Sequence, residues 1–294
     1  MKTVTTIAAM RSLLTADKRS GKRVAFVPTM GNLHDGHVDL VRRARKTADV
    51  VVVSIFVNPL QFGANEDLDK YPRTLTADKE KLFSEGVQYL FYPGVDEIYP
   101  EGMDIHTKVN VPALSETLCG SSRPGHFTGV STVVTKLFQI VQPDVALFGE
   151  KDFQQLSIIR KMVTDLCMPI EVIGVNTTRA ADGLALSSRN GYLNATERAL
   201  APAIYDVLQE CREAIAGGFD NYAELEQHAI DTLRTAGFRP DYFAVRDAAT
   251  LGPVTLLTEQ VVILTAAYLG RTRLIDNVTL NLNPAHDWGM LAAG

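Results

Sequence analysis

Two histidines three residues apart sit in the segment Pro28-Thr29-Met30-Gly31-Asn32-Leu33-His34-Asp35-Gly36-His37. On the first turn of a helix this spacing puts both imidazoles on one face. A helix N-terminus adds unpaired N–H groups and the positive end of the backbone dipole, an arrangement suited to phosphate. Imidazoles placed there can donate to phosphate oxygens as negative charge builds in a transition state. Gly31 and Gly36 let the backbone approach a ligand closely. An incidental pair of capping or surface histidines is the competing reading. The position of the pair, directly after a strand, favours nucleotidyl transfer. The two common phosphate loops, Gly-x-Gly-x-x-Gly and Gly-x-x-x-x-Gly-Lys-Ser/Thr, are absent from the chain.

Two further segments offer complementary groups. In Arg179-Ala180-Ala181-Asp182-Gly183-Leu184-Ala185-Leu186-Ser187-Ser188-Arg189-Asn190, two hydroxyls precede a permanent cation. Arginine suits multidentate phosphate recognition, although alone this run also reads as a polar loop that caps the next segment. In Phe148-Gly149-Glu150-Lys151-Asp152-Phe153-Gln154-Gln155, Lys151 lies near a helix start. A cation there is unfavourable unless an anion binds, which hints at function. Asp152 could equally be a simple N-cap.

Alternating strands and helices must position these groups. Val24 to Thr29 and the β-branched run Val50 to Val57 read as buried strands, as do Val87 to Tyr92, Val145 to Phe148 and Ile170 to Val175. Helices are expected over Gly36 to Thr47, Thr76 to Glu85, Gly129 to Val141 and Phe153 to Leu166. Such alternation predicts an α/β fold, a doubly wound, Rossmann-like parallel sheet, with ligands at the carboxyl ends of its strands. After about Val175 the pattern changes. Two helices, Thr196 to Ala216 and Ala223 to Ala236, precede strands at Tyr242 to Arg246 and Val261 to Tyr268 and a short one near Arg273 to Ile275. The expected division is a nucleotide-binding domain over 1–176, a small α+β lid domain over 177–283 and a loose tail over 284–294.

Bulk properties narrow the partners. The formal net charge is −5, which argues against nucleic acid or an anionic membrane but not against a small anionic ligand. Cys119, Cys167 and Cys211 are far apart and show no zinc spacing, which fits a reducing cytoplasm. Met1 to Met10 lacks the pattern of a signal peptide, and no apolar run reaches membrane-spanning length.

Taken in order, these segments resemble one family. Val-Pro-Thr-Met-Gly-Asn-Leu-His-Asp-Gly-His, Phe-Val-Asn-Pro-Leu-Gln-Phe, Tyr-Pro-Arg-Thr, Ser-Arg-Pro-Gly-His-Phe, Phe-Gly-Glu-Lys-Asp-Phe-Gln-Gln and Leu-Ser-Ser-Arg-Asn are similar to the motifs of the pantoate–β-alanine ligases. These belong to the nucleotidylyltransferase superfamily, which shares His-x-Gly-His with class I aminoacyl-tRNA synthetases. The resemblance runs from about Gly21 to Asn277. It implies ATP-dependent condensation of pantoate with β-alanine through a pantoyl adenylate, and it removes any need for Ser187 or Cys119 as a nucleophile.

The resemblance also implies roles. Met30, Gly31, Asn32, Leu33, His34, Asp35, Gly36 and His37 would line the ATP site, with His34 and His37 stabilising charge and His37 the proton donor. Gly149, Glu150, Lys151 and Asp152 would border the nucleotide, with Lys151 neutralising the transition state. Leu186, Ser187, Ser188 and Arg189 would close over the phosphates, and the Thr178 backbone would meet adenine. Gln61 and Gln155 would bind pantoate, and Gln61 would also face β-alanine. Asn58 would orient that loop, and Arg123 and His126 would approach the same cleft. Asp78 matches a carboxylate that can hold Mg²⁺, but Ala77 stands where some relatives carry a second Asp, so Mg²⁺ is expected to arrive on ATP. The family forms homodimers. Another adenylyltransferase of the superfamily and a catalytically silent ATP-binding module are the alternatives. A tRNA synthetase is disfavoured by the acidic balance.

Overall fold

Valine and phenylalanine dominate the strand run Val24 to Thr29, and Val24, Ala25, Phe26 and Val27 are fully buried. A strand apolar on both faces belongs inside a parallel sheet covered by helices. The computed structural model describes residues 1–63 and 66–282, and the tail expected over 284–294 lies outside them. In chain order the first part holds β1 (Lys2–Val4), α1 (Ile7–Arg19), β2 (Val24–Thr29), α2 (Asp35–Arg45), β3 (Val50–Ile55), α3 (Leu75–Ser84), β4 (Tyr89–Phe91), α4 (Val95–Ile98), α5 (Cys119–Ser122), α6 (His126–Val141), β5 (Val145–Gly149), α7 (Phe153–Asp165) and β6 (Glu171–Val175). The six strands form one sheet in the order β1-β4-β3-β2-β5-β6, every pair parallel.

That order contains the switch point of a doubly wound sheet. From β2 the chain moves outward to β3 and β4, then returns to the other side of β2 for β5 and β6. The loops after β2 and β5 therefore part at neighbouring strand ends, where such sheets bind ligands. The register pairs Ala25 with Val145 and Phe26 with Ala146.

The second part holds α8 (Ala195–Leu200), α9 (Ala203–Ala216), α10 (Tyr222–Thr235), β7 (Arg239–Asp247), β8 (Gln260–Leu269) and β9 (Thr272–Asn281). Its three strands make an antiparallel meander. Leu208, Leu233, Phe243 and Ile263 share one buried cluster, so the helices bury their apolar faces on this sheet.

Several expectations need correction. The helix expected over Thr196 to Ala216 is two helices, because Pro202 has no N–H to continue the ladder and crowds the preceding turn. The last strand is ten residues long instead of a short piece near Arg273 to Ile275, and it continues through the buried polar residues Asp276 and Asn277. β1 and α1 were not anticipated. β1 has only three residues, and α1 is started by Thr6, whose hydroxyl accepts the Ala9 N–H at 3.3 Å.

The chain also changes units at more than one point. One compact unit comprises Met1–Arg179 with Leu186–Ser188, and the other Ala180–Ala185 with the rest. Leu184 is buried in the second unit's core, while the Leu186 N–H donates to Thr178 O at 2.9 Å in the first. Apolar burial on one side and a backbone bond on the other explain the alternation.

Candidate active site

The loop between β2 and α2 is held from below by one carboxylate. Asp78 of α3 is only 1% exposed. Its Oδ2 accepts the Asn32 N–H at 2.9 Å, and its Oδ1 accepts the Leu33 N–H at 2.8 Å and the Thr74 hydroxyl at 3.2 Å. The clamp holds Asn32 in the left-handed region at φ 50°, which asparagine tolerates better than most residues. Asp78 was read from the sequence as a possible magnesium ligand; its geometry is that of a loop anchor. Among the described residues no group of three or more His, Cys, Asp or Glu could hold a metal ion.

His34 then caps α2 and His37 occupies its first turn. The His34 N–H donates to His37 Nδ1 at 3.3 Å, and the ring centroids are 4.0 Å apart. With Nδ1 accepting, neutral His37 carries its proton on Nε2. His34 Nδ1 is buried and finds no hydrogen-bond partner among the described residues. The His34 ring lies across the helix start because residue 36 is glycine: a Cβ there would sit 3.0 Å from His34 Cε1.

Lys151 comes to the same place from the end of β5. Burial first, and the Lys151 charge second, pull His34 down to about 4. Burial and the neighbouring His34 pull His37 down to about 3, with Lys151 and Lys81 adding to the effect and Asp152 opposing it. The two motifs therefore share one electrostatic environment, with neutral imidazoles beside cations. Lys81 also donates to Leu33 O. Asp152 lies 3.5 Å from Lys151 Nζ, and Glu150 Oε1 faces Gly174 of β6.

The remaining expected residues divide. Ser188 Oγ donates to Asn32 O at 3.1 Å, and Asn32 Nδ2 reaches Ser188 O at 3.5 Å, so Leu186 to Ser188 join the loop between β2 and α2. Arg189 belongs to the second unit. Thr178 donates from Oγ1 to Asp39 Oδ2 at 2.8 Å beside α2, and its carbonyl is taken by Leu186. A cavity of about 220 Å³ opens beside the loop, lined by Met30, Gly31, Phe56, Thr74, Asp78 and Tyr92 among others.

Gln61 ends a single 3₁₀ turn, Pro59–Gln61, and is 9% exposed. Its Nε2 points at Met30 Sδ, 3.2 Å away, and its Oε1 accepts from Asn58 Nδ2 at 3.2 Å. Gln155 is half-buried on the first turn of α7. Its neighbour in the same motif does different work. Gln154 is 4% exposed, donates to Leu114 O at 2.8 Å and Thr117 O at 2.7 Å, and accepts the Cys119 N–H at 3.1 Å.

Arg123 and His126, whose roles were open, fasten the Gln61 loop. Arg123 forks onto Glu66 with two bonds of 2.6 Å and donates from NH1 to His126 Nε2 at 2.9 Å. That leaves the His126 proton on Nδ1, which donates to Gln61 O at 2.8 Å. Burial and the adjacent Arg123 pull His126 down to about 4, in keeping with a neutral ring. Gly129, three residues on, was visible only as a helix start. A Cβ there would meet Leu60 O at 2.3 Å, so α6 touches the Gln61 turn backbone to backbone. Reading the motif residues alone missed Asp78 as an anchor, Gly129 and Gln154. Their sequence signal is no more than an Asp, a Gly and a Gln at helix starts.

The sequence model described as Pantoate-beta-alanine ligase matches residues 2–279. The chain belongs to the pantoate–β-alanine ligase family. It is similar to the pantothenate synthetase of Pseudomonas putida strain W619, with 59% identity over 283 residues, 96% of this chain and 99% of that one. It is also similar to that of Azotobacter vinelandii, with 57% identity over 96% of this chain and all of the relative. The solved pantothenate synthetase of Thermus thermophilus superposes with a TM-score of 0.88 at 47% identity, covering 95% of this chain and 99% of that chain. The Francisella tularensis ligase, solved in complex with β,γ-ATP and β-alanine, gives a TM-score of 0.80 at 35% identity over 95% of this chain and 97% of that one. Among the described residues of this ligase, no helix is long and apolar enough to cross a membrane.

The neutral histidines make acid a specific threat to the fold. Unfolded, His37 takes up a proton below its ordinary 6.5; folded, it resists protonation until about 3. Between those values the unfolded chain binds more protons, so stability is full above 6.5 and falls as pH falls. For His37 alone the expected loss at pH 5 is about 1–2 kcal/mol, with His34 and His126 adding in the same direction. Urea unfolding at pH 7.5 and 5 checks this. A His37→Gln variant should lose less stability over that range, and an equal loss would remove His37 as a cause.

Proposed function

We infer that this pantoate–β-alanine ligase works by two half-reactions at the strand ends of β2 and β5. In the first, a pantoate carboxylate oxygen attacks the α-phosphorus of ATP; the bond to the β-phosphate oxygen breaks and pyrophosphate leaves. In the second, the amine nitrogen of β-alanine attacks the acyl carbon; the C–O bond to AMP breaks, AMP leaves, and the amine gives up its proton as pantothenate forms. A carboxylate needs such activation because oxide is a poor leaving group and AMP a good one. No enzyme nucleophile is required.

The observation that carries this reading is the pair of neutral imidazoles, 4.0 Å apart, in the field of Lys151. In this reading His37 Nε2–H donates a hydrogen bond to the α-phosphate as charge develops. Lys151 supplies the permanent charge. Gln61 Nε2 offers a donor to a pantoate oxygen in place of Met30 Sδ, a weak acceptor, and Gln155 offers a second. Neutral amides suit this task, because a cation would hold the attacking carboxylate too tightly. Met30 to His37, Gly149 to Asp152, Thr178 and Leu186 to Arg189 form the nucleotide walls.

Magnesium enters as MgATP, keeping much of its water as this ion usually does. The engagement of Asp78 with the loop and the lack of an acidic cluster among the described residues support that route. Exclusion of water from the adenylate is part of this reading. A homodimer and a cytoplasmic location belong to the same reading; three cysteines, all thiols, support the latter.

The test follows AMP and pyrophosphate release from ATP, Mg²⁺ and pantoate with and without β-alanine. AMP release is expected to depend on the amine. Equal rates without it would sink the ligase mechanism and favour a plain adenylyltransferase.

A further inference from the structure

The amide of Gln61 is set by a chain of contacts that begins at a tyrosine. Tyr99 directly follows α4 and is 2% exposed. Its ring packs 6.2 Å from Phe56 and 5.0 Å from His106, with Lys136 Nζ 5.1 Å from its centroid. Lys136 is itself held by Ile98 O and by His106 Nε2 at 3.1 Å. The ring is therefore fixed from three sides. Burial pushes the phenol above its ordinary value, so it keeps its proton.

The hydroxyl donates to Asn58 Oδ1 at 2.8 Å. Asn58 is 1% exposed and fully engaged. Oδ1 accepts Tyr99 O–H and the Leu60 N–H at 3.3 Å, while Nδ2 donates to Gly129 O at 3.1 Å and Gln61 Oε1 at 3.2 Å. Turning the Asn58 amide over would set its oxygen against Gly129 O. With Asn58 donating, Gln61 Oε1 is used as an acceptor, and Nε2 must be the end that faces Met30.

We propose that Tyr99 is a positioning residue for the hydroxy acid: through Asn58 it holds Gln61 with its N–H₂ end toward the substrate oxygens. This rests on the reading of Gln61 as a pantoate ligand. Packing alone is the competing explanation, and Tyr99→Phe separates the two because it keeps the ring and removes only the hydroxyl.

The experiment is a double-mutant cycle of Tyr99→Phe and Gln61→Ala, with KM for pantoate, KM for ATP, kcat and thermal midpoint measured for all four proteins. Tyr99→Phe should raise the pantoate KM by about fivefold, the size of one neutral hydrogen bond, with the ATP KM unchanged. In the Gln61→Ala background the same substitution should change the pantoate KM no further. An equal effect in both backgrounds would mean that the hydroxyl acts independently of Gln61 and overturns the proposal. So would an unchanged pantoate KM in Tyr99→Phe beside an impaired Gln61→Ala. If Gln61→Ala itself leaves the pantoate KM unaltered, the Gln61 assignment falls first and the Tyr99 proposal with it.

Discussion

Lys151→Ala should lower kcat by about 10²–10³-fold, the cost of losing one preorganised charge contact in a transition state, while weakening ATP binding far less. The reasoning is differential. Ground-state ATP carries its charge along the whole triphosphate and brings Mg²⁺ with it. In the proposed mechanism the extra negative charge appears at the α-phosphate only during attack, and Lys151 is near enough to His34 and His37 to lower both titration points. The same variant has a readout independent of turnover. The Lys151 charge helps to hold both imidazoles neutral, so removing it should raise the titration points of His34 and His37 from about 4 and about 3. Imidazole titration by NMR, together with steady-state and single-turnover kinetics, tests both effects. Unchanged turnover with shifted titrations would leave Lys151 as an electrostatic neighbour and remove it from the chemistry.

Gly129→Ala should impair the use of pantoate by about 10²-fold without touching a ligand-binding side chain, since misplacement of a reacting group by about 1 Å costs on that order. The new methyl would need to stand 2.3 Å from Leu60 O, 2.5 Å from Leu60 C and 2.7 Å from Gln61 N. All three are backbone atoms, so no side chain can swing aside. Either α6 or the Gln61 turn must move, and Asn58 Nδ2 loses its line to Gly129 O. The effect should appear in kcat/KM for pantoate, with ATP binding, measured by calorimetry, close to normal. A variant with normal pantoate kinetics would show that the turn adapts and that its contact with α6 is not needed. Loss of folding would be seen first as a lowered thermal midpoint, and Gly129→Ser, larger still, should then be worse in the same assay.

Much of the site was legible because its chemistry is local. Helix starts, a histidine pair, a lysine where a helix disfavours one, and buried valine runs are all short-range signals. They suffice for a doubly wound sheet and for ligands at its strand ends. The family motifs then supplied the candidate residue types in order. Other features were not legible because their causes are distant in sequence. Pro202 could be read as a break, but the extension of β9 through Asp276 and Asn277 depends on its pairing with Leu264 and Thr265 of β8. Asp78 was matched through the family resemblance to a carboxylate that can hold Mg²⁺, and its contact with the β2–α2 loop carries no local signal. Only the fold shows that it is already engaged by the N–H groups of Asn32 and Leu33.

The sequence alone determined which groups are available: His34 and His37 at helical spacing, Lys151 after a strand, glutamines where a cation would be a poor choice. The tertiary structure decided their states. Burial makes the histidines neutral, helped by the Lys151 charge at His34 and by the neighbouring His34 at His37, and the contact between His34 N–H and His37 Nδ1 selects the tautomer of His37. The switch between β2 and β5 brings Lys151 into their field, although more than a hundred residues of chain separate them. The orientation of Gln61 depends on Asn58, Tyr99 and Gly129, which come from three separate elements. Residue type is a property of one position, whereas ionisation, tautomer and orientation depend on neighbours that only folding supplies.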